Sequence, residues 1–238
     1  MRVRVERQPA CILHARAWRE TSLLLEVFSR DHGRAGLLAR GVRGARSRTP
    51  RAALEPFRLL EVDWSGHGEL PNLRAAEIVG AQPSLTGDAL LSGLYVNELL
   101  MRLTARHDPH PALFDRYIAL FDELAQDGSL AWTLRRFERD LLAELGYGLQ
   151  LDREAVNGAA LQPEVEYMYV PEHGPVRADA SHQGIAVRGA ALLALRVDTQ
   201  PAAQDLAALR RVLRAVIGAH VGERGLRAWR MLGAAMRA

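Results

Sequence analysis

The spacing of apolar residues changes near residue 85, and this change constrains the fold more than any other feature. Up to residue 80, apolar residues form short or alternating runs that turn-forming residues separate. From Asp88 onward they recur three and four positions apart, as on one face of an α-helix. The sequence therefore predicts strands followed by helices. It places a domain boundary near Gln82-Pro83-Ser84 and domain limits of 1–81 and 82–238.

About five strands are predicted in the first part. The segment 2–17 forms one or two strands interrupted at Pro9. The other four strands are Ser22–Ser29, Arg34–Arg40, Leu54–Trp64 and Leu73–Gly80. Short strands with turn signals at regular spacing are typical of a small closed or half-closed barrel, the pattern of an OB-fold.

Helical spacing dominates the remainder, so the predicted fold class is α+β. Ser129 is predicted to cap the third helix. The segment 148–187 is less regular, with one strand candidate at Tyr167–Pro171 and a turn at Gly174-Pro175. The predicted helices are the segments from Asp88, Leu113–Leu124, Ser129 to Gly146, Val187–Arg196, the segment after Gln200-Pro201, and Leu226–Met236.

Positive charge is concentrated in the first third of the chain. Residues 1–80 contain 14 arginines and 9 acidic residues, whereas residues 81–238 contain 17 and 19. The stretch Arg34–Leu60 holds seven arginines and one acid, Glu55. A loop with one sign of charge repels itself unless it binds an anion, and nucleic acid is the obvious polyanion. The alternative is a solvated surface loop.

Seven arginines and one tryptophan form the predicted nucleic-acid site. Trp18 lies in a turn between arginines and is the best candidate for base stacking, whereas Phe28 and Phe57 are predicted to be core residues. The arginines would bind phosphates, with strong salt dependence and little sequence specificity. The predicted site residues are Arg16, Trp18, Arg34, Arg40, Arg43, Arg46, Arg48 and Arg51.

No motif typical of an enzyme or a metal site is present. The eight histidines are scattered, and Cys11 is the single cysteine, predicted to be a buried apolar residue. No nucleotide-binding glycine motif and no nucleophile elbow occurs. We therefore predict a non-enzymatic protein with no cofactor and no metal. The lack of a long apolar run predicts a cytoplasmic protein with no membrane contact.

Eight short motifs follow one another along the chain. They are Ala15–Ser22 (ARAWRETS), Gly33-Arg34, Ala39–Arg43 (ARGVR), Leu54–Phe57 (LEPF), Tyr95–Leu100 (YVNELL), Leu134–Glu138 (LRRFE), Leu141-Leu142 and Leu145–Tyr147 (LGY). In this order they resemble the bacterial recombination mediator family RecO. Each motif alone is weak, but together they are specific. They cover nearly the whole chain and match least well in its C-terminal third.

The resemblance implies an N-terminal OB-fold, a helical bundle and a small irregular C-terminal module. Many members of the family bind zinc in this module through four cysteines. This chain has Leu151–Ala155 there and no cysteine downstream, so zinc binding does not carry over. The resemblance also implies that the protein binds single- and double-stranded DNA, anneals complementary strands and is nucleoid-associated. It would help RecA load onto strands coated by single-stranded-DNA-binding protein (SSB), with RecR as a partner.

In the family the acidic, phenylalanine-ended tail of SSB docks on the helical domain. Such a site needs arginines for the carboxylates. Arg135 and Arg136 occupy the matching motif and are the predicted SSB-tail site, with Arg102, Arg106 and Arg139 as possible helpers. The alternative is that these are ordinary solvated arginines on a helix.

Two other functions remain open from the sequence. The basic barrel could bind an acidic protein, which would make this chain a protein–protein adaptor. It could also bind RNA, as other OB proteins do. Titration with single-stranded DNA at two salt concentrations separates DNA binding from the adaptor role, and competition between RNA and DNA oligomers separates the two nucleic acids.

Overall fold

The structure has the predicted α+β class, with strands first, then helices and a small second sheet. It is a computed structural model. The residues that it describes are 2–42, 51–126, 128–178, 183–222 and 225–229.

Contacts divide the chain into two compact units. The first contains Met1–Gln126 and Arg227–Ala238, and the second contains Asp127–Leu226. The first two helices therefore group with the strands that precede them. The predicted domain limits, 1–81 and 82–238, divide the chain by its sequence pattern, whereas the two units divide it by contacts. The predicted limits therefore stay a prediction.

The first unit begins with a closed five-stranded barrel. Its strands are β1 (Arg2–Trp18), β2 (Ser22–Ser29), β3 (Gly33–Ala39), β4 (Leu60–His67) and β5 (Asn72–Ile78). They follow one another around the barrel in the order β1-β2-β3-β5-β4, with β3 and β5 parallel and the other neighbours antiparallel. A five-stranded barrel of this kind is an OB-fold, which confirms the prediction.

β1 continues through Pro9, where the sequence suggested an interruption. Its first half pairs with β4 and its second half with β2, and Ala10 lies opposite residues of both strands. The register against β4 shifts between Val5 and Gln8, next to the proline. Pro9 itself lies opposite Glu61 of β4, and its carbonyl accepts a hydrogen bond from the N–H of Arg30 at 3.0 Å, so its polar edge faces away from β4 and the missing N–H does not interrupt that pairing.

The predicted strand Leu54–Trp64 is wrong in its first half. A 3₁₀ turn spans Arg51–Leu54, Phe57 has a φ of 64°, and β4 begins only afterwards. Leu54 packs in the barrel core, whereas the ring of Phe57 packs against Phe121, with 5.8 Å between ring centroids. The apolar spacing therefore reflects two different packing partners and not one strand face.

Two helices complete the described core of the first unit, α1 (Gly87–Leu103) and α2 (Pro111–Ala125). The side-chain amide of Asn97 in α1 donates to the carbonyl of Leu13 in β1 at 3.0 Å. The hydroxyl of Tyr117 in α2 donates to Oδ1 of Asn97 at 2.6 Å. Burial raises the pKa of Tyr117 well above its ordinary value, so the hydroxyl keeps its proton and its role as donor.

Aromatic rings surround this hydrogen-bonded chain. The ring of Phe28 lies 5.6 Å from that of Phe114 and 6.0 Å from that of Tyr117, measured between centroids. Phe28 and Phe57 are buried, as predicted, and so is Cys11. Burial raises the pKa of the Cys11 thiol, so it is an unreactive apolar residue of the core.

In its described residues, the second unit combines three helices with a small sheet. Ser129 caps the first of these helices, as predicted, because its Oγ accepts a hydrogen bond from the N–H of Trp132 at 3.3 Å. The elements are α3 (Leu130–Glu144), β6 (Glu166–Val170), β7 (Gly174–Arg177), β8 (Ile185–Arg188), α4 (Gly189–Arg196) and α5 (Ala203–Val221).

The segment 148–187 is more regular than its sequence suggested. It contributes to a three-stranded antiparallel sheet in the order β7-β6-β8. Gly174-Pro175, expected to form a turn, begins β7. These strands have only four or five residues, too few for an alternating pattern to stand out.

The predicted helix Val187–Arg196 includes the last residues of β8, and α4 begins at Gly189. A side chain at Gly189 would place its Cβ 2.0 Å from the carbonyl oxygen of Gln162, so glycine is required at this junction. Of the predicted helix Leu226–Met236, residues 227–229 are helical and the part from 230 onward lies outside the described residues.

The hydrogen-bonded chain through Asn97 generates a stability prediction. Asn97→Ala is expected to lower the free energy of unfolding by about 3 kcal/mol, because it leaves the Leu13 carbonyl and the Tyr117 hydroxyl buried without partners. Tyr117→Phe is expected to cost about 1 kcal/mol, because only Oδ1 of Asn97 loses a partner. Urea unfolding followed by circular dichroism measures both. The double variant should cost less than the sum, and full additivity would contradict the shared hydrogen bond.

Candidate functional site

The arginines of the barrel strands and their connections fall into two groups. Of the ten arginines with described side chains in residues 4–80, five are paired with an acidic residue. These are Arg4 with Glu6, Arg7 with Glu61, Arg30 with Asp115, Arg34 with Glu26 and Arg58 with Glu55. Arg74 donates to the hydroxyl of Ser65. Within the described parts of residues 4–80, the arginines left without an ion pair or side-chain hydrogen bond are Arg16, Arg19, Arg40 and Arg51.

These four arginines lie at the end of the barrel where β1 turns into β2. Trp18 pairs with Ser22 across this turn, and the start of β2 pairs in turn with the end of β3. Trp18, Arg19 and Arg40 line one cavity of about 630 Å³. We call this surface, defined by Arg16, Trp18, Arg19, Arg40 and Arg51, the arginine end.

A smaller depression at the arginine end leads toward the barrel core. It has a volume of about 220 Å³, and its lining includes Ala15, Ala17, Leu23 and Arg51. Side chains alternate between the two faces of a strand. The two alanines face this depression. Arg16 lies between them and Trp18 follows Ala17, so the side chains of Arg16 and Trp18 project from the other face of β1.

Trp18 is the exposed aromatic residue of the barrel. Its exposed fraction is 40%, whereas Trp64, Phe28 and Phe57 are buried. An exposed indole provides a flat apolar face on which a nucleobase can stack. Its neighbours Arg19 and Arg40 supply positive charge in the same cavity.

Arg34 differs from the other predicted contacts because its guanidinium is already engaged. Its Nη1 pairs with Oε2 of Glu26 at 3.1 Å, and its Nη2 donates to the carbonyl of Thr104 at 3.0 Å. Arg106 pairs with the same Glu26. Arg34 therefore links β3 to the residues that follow α1. The predicted contacts Arg43, Arg46 and Arg48 lie outside the described residues.

The two arginines of the predicted SSB-tail site have different surroundings. Arg135 is buried and pairs with Glu138, which is also buried, on the same helix. Arg136 is partly exposed and pairs with Asp198. α3 is covered on more than one side, since residues 134, 135, 137 and 138 are all buried. The sequence predicted that at least one of the two arginines would be accessible. Because Arg135 is buried, the accessible one is Arg136.

Arg139 joins Arg136 at the same carboxylate. Arg136 contacts Asp198 through two parallel contacts, Nε to Oδ1 at 3.0 Å and Nη2 to Oδ2 at 2.8 Å. Nη1 of Arg139 lies 2.9 Å from Oδ1. We call Arg136, Arg139 and Asp198 the carboxylate clamp. Of the possible helpers, Arg139 is part of it, whereas Arg102 and Arg106 belong to the first unit.

The two arginines favour the charged form of Asp198. Its partial burial opposes ionisation, but the hydrogen bonds and charges of Arg136 and Arg139 outweigh that effect and hold the pKa of Asp198 below its ordinary value. Sequence reasoning did not find Asp198. The available signal was an aspartate just after the predicted end of a helix, where glycine is common and a negative charge is unfavourable.

Leu151–Ala155 lie in a loop of the second unit, at the position where the family resemblance would have placed a zinc site. In this loop the buried carboxylate of Glu154 accepts hydrogen bonds from Nε of Arg177 at 2.9 Å and from the amide of Asn157 at 2.8 Å. Among the described residues, no cluster of three or more histidine, cysteine, aspartate or glutamate side chains could hold a metal ion. Likewise, none of the helices within the described ranges is long and apolar enough to span a membrane.

Comparison with known proteins decides the family. The model for Recombination protein O N terminal matches residues 1–82, and that for Recombination protein O C terminal matches residues 84–230. The chain belongs to the RecO family. This confirms the resemblance found in the sequence motifs, and it supports a role in DNA repair and recombination.

Full-length relatives agree with this assignment. The DNA repair protein RecO of Xanthomonas oryzae pv. oryzae strain PXO99A is 47% identical over 232 residues, 96% of each chain. The RecO of Xanthomonas campestris pv. campestris strain B100 is 46% identical over the same length. That of Stenotrophomonas maltophilia strain K279a is 47% identical over 231 residues, again 96% of each chain.

The carboxylate clamp generates a titration prediction. The carboxyl group of Asp198 should titrate below the value of about 3.9 that is usual for aspartate, and the double variant Arg136→Ala/Arg139→Ala should raise its pKa toward that value. A lowered pKa in the folded state stabilises the protein above pH ~3.9, and this contribution is lost as the pH falls through the folded pKa. Carboxyl-carbon NMR measures the titration.

Asp115 is the internal control for this titration. Its pKa is also lowered, through Arg30 rather than through the clamp. It should be unchanged in the double variant. An Asp198 titration that is equally unchanged would contradict the described contacts.

Proposed function

We propose that the arginine end binds single-stranded DNA and that the protein anneals complementary strands during recombinational repair. One observation carries this proposal. The described barrel arginines that have neither an ion pair nor a side-chain hydrogen bond gather at one end, beside the exposed indole of Trp18. Two arginines, Arg19 and Arg40, and one carboxylate, Glu20, line the cavity beside this ring, so positive charge prevails there.

Unpaired arginines suit phosphate binding for an energetic reason. An arginine that is already in an ion pair must lose that contact before it can bind a phosphate, whereas Arg16, Arg19, Arg40 and Arg51 lose none. Each phosphate contact releases a condensed counterion, so affinity falls as salt rises. Stacking on Trp18 adds affinity for every base type, because every base has a flat π-face. Binding is therefore expected to be strong at low salt and weakly sequence-specific.

Annealing follows from charge neutralisation. Two strands repel each other through their phosphates, and arginines bound to one strand reduce that repulsion. The bases then pair by their own hydrogen bonds. Because no covalent bond is made or broken, this role needs no catalytic base, nucleophile or nucleotide cofactor. We propose that Arg43, Arg46 and Arg48 extend the DNA contact and that double-stranded DNA binds to the same surface.

We further propose that the second unit recruits SSB through Arg136. Arg135 is less suitable, because binding a peptide through it would break its buried ion pair with Glu138. Arg136 is accessible and already binds a carboxylate. In this proposal the protein reaches SSB-coated strands, displaces SSB locally and helps RecA to load, with RecR as a further partner.

Charge reversal at the arginine end tests the DNA site. The double variant Arg40→Glu/Arg51→Glu is expected to weaken binding to a labelled single-stranded oligonucleotide at least about tenfold at low salt, and Trp18→Ala about tenfold through lost stacking. Fluorescence anisotropy measures the affinities. The control Arg4→Glu changes an exposed, ion-paired arginine in the other half of β1, and it should have a much smaller effect.

The triple variant Arg43→Glu/Arg46→Glu/Arg48→Glu tests the adjoining contacts in the same assay. It should abolish binding without changing the circular dichroism spectrum. The milder triple alanine variant should reduce the slope of log affinity against log salt by about 2, since each phosphate contact with single strands contributes about 0.7. Unchanged affinity and slope would exclude these contacts, and stronger binding to an acidic protein or to RNA than to DNA would favour the other two functions.

Annealing with and without SSB separates the two proposed sites. The variant Arg40→Glu/Arg51→Glu should lose annealing of both naked and SSB-coated complementary strands, because it lacks the DNA contact. Arg136→Ala should anneal naked strands normally and lose most activity on SSB-coated strands. A fluorescence-quenching annealing assay gives both rates. Equal loss on both substrates by Arg136→Ala would argue against a separate SSB contact.

A further inference from the structure

We propose that the carboxylate clamp is a ligand site that the protein's own Asp198 occupies, and that an acidic peptide binds by displacing this side chain from Arg136 and Arg139. The inference rests on the proposed role of Arg136 and adds to it the competing residue. Asp198 would then set the affinity for the peptide, because every binding event must first release an internal carboxylate.

The geometry of the clamp is that of a carboxylate site. Arg136 makes two parallel contacts with the two oxygens of Asp198, the bidentate arrangement that guanidinium groups form with carboxylates. Arg139 is held from other directions as well. Its Nη1 donates to the carbonyl of Leu195 at 2.6 Å, and its Nε donates to Asp140 at 2.8 Å. These two contacts keep Arg139 in place when the Asp198 carboxylate leaves.

The local backbone does not favour a carboxylate at position 198. Asp198 has a φ of 61°, in the left-handed region that favours glycine. It follows the end of α4, and the N–H of Thr199 bonds to the carbonyl of Ala194 at 3.0 Å, as in a Schellman cap. A negative charge at the C-terminal end of a helix is also unfavourable. The two arginines offset the unfavourable placement of this charge.

Exposure allows the carboxylate to exchange. The Asp198 side chain is 41% exposed and that of Arg136 is 28% exposed, so a released carboxylate can turn into water. The buried pair of Arg135 and Glu138 has no such freedom. Val197, the residue before Asp198, is 63% exposed and offers an apolar contact. The ligand chemistry that fits is a peptide with carboxylates and an apolar residue beside them.

The competing explanation is that Asp198 is only a structural link between α3 and the corner after α4. The two explanations predict opposite results when Asp198 is neutralised. A structural link would lower stability on removal and leave peptide affinity unchanged. An internal competitor would raise peptide affinity on removal, because the peptide no longer has to displace the Asp198 carboxylate.

Isothermal titration calorimetry of the full-length protein with a synthetic peptide tests this inference. The peptide contains three aspartates and ends in phenylalanine with a free carboxylate. Asp198→Asn and Asp198→Gly are compared with wild type. Asparagine and glycine both tolerate the left-handed backbone conformation of this position. Asp152→Asn is the matched control, because it removes the same charge from a partly exposed aspartate of the same unit that pairs with Arg196 instead. Thermal unfolding is measured for each variant.

Both Asp198 variants are expected to raise peptide affinity about threefold to tenfold, the range for release of a partly exposed ion pair with two donors. Asp152→Asn should stay within about twofold of wild type, through long-range charge alone. If one Asp198 variant folds poorly, the other still gives the answer, since glycine removes the backbone cost as well as the charge.

The outcomes separate this inference from the proposed function. If Arg136→Ala weakens peptide binding but neither Asp198 variant strengthens it, the tail site stands and the internal competitor is wrong. If Asp152→Asn raises peptide affinity equally, the effect comes from net charge and the inference is wrong. If Arg136→Ala and Arg139→Ala both leave peptide affinity unchanged, the tail site itself is misplaced, and the inference falls with it.

Discussion

A buried chain of hydrogen bonds from the Tyr117 hydroxyl through the Asn97 amide to the Leu13 carbonyl holds the barrel against its first two helices. It satisfies polar groups that would otherwise be costly to bury. The ring of Phe28 packs beside it. Because this contact fixes the middle of β1 and the end of β2, the opposite end of that hairpin, with Trp18, can carry the unpaired arginines.

Arginine has two roles in this chain, and its neighbours decide which role applies. Arg34 and Arg40 belong to the same basic stretch, yet Arg34 pairs with Glu26 while Arg40 lines an open cavity. On α3, Arg135 forms a buried ion pair with Glu138, whereas Arg136 pairs with the exposed carboxylate of Asp198. An engaged guanidinium organises the fold, and an accessible one can bind a ligand.

Sequence patterns predicted the regular elements well where the pattern was long. The bounds of β2, Ser22–Ser29, matched the prediction, and α1 and α2 were found by their three- and four-residue spacing. The predictions failed where apolar residues pack individually, as at Leu54 and Phe57, and where strands are very short, as in the second sheet. Local spacing carries no information about which partner an isolated apolar side chain meets.

The sequence by itself determined the order of strands and helices, the concentration of arginine in the first third, and the impossibility of an internal disulfide or a cysteine zinc site, since Cys11 stands alone. Tertiary structure decided the closure of the barrel through parallel pairing of Leu38 with Asn72. It also decided which arginines are neutralised. Arg136 meets Asp198 across 62 positions of sequence. Contacts at such separations depend on how whole elements pack, and local propensity does not encode them.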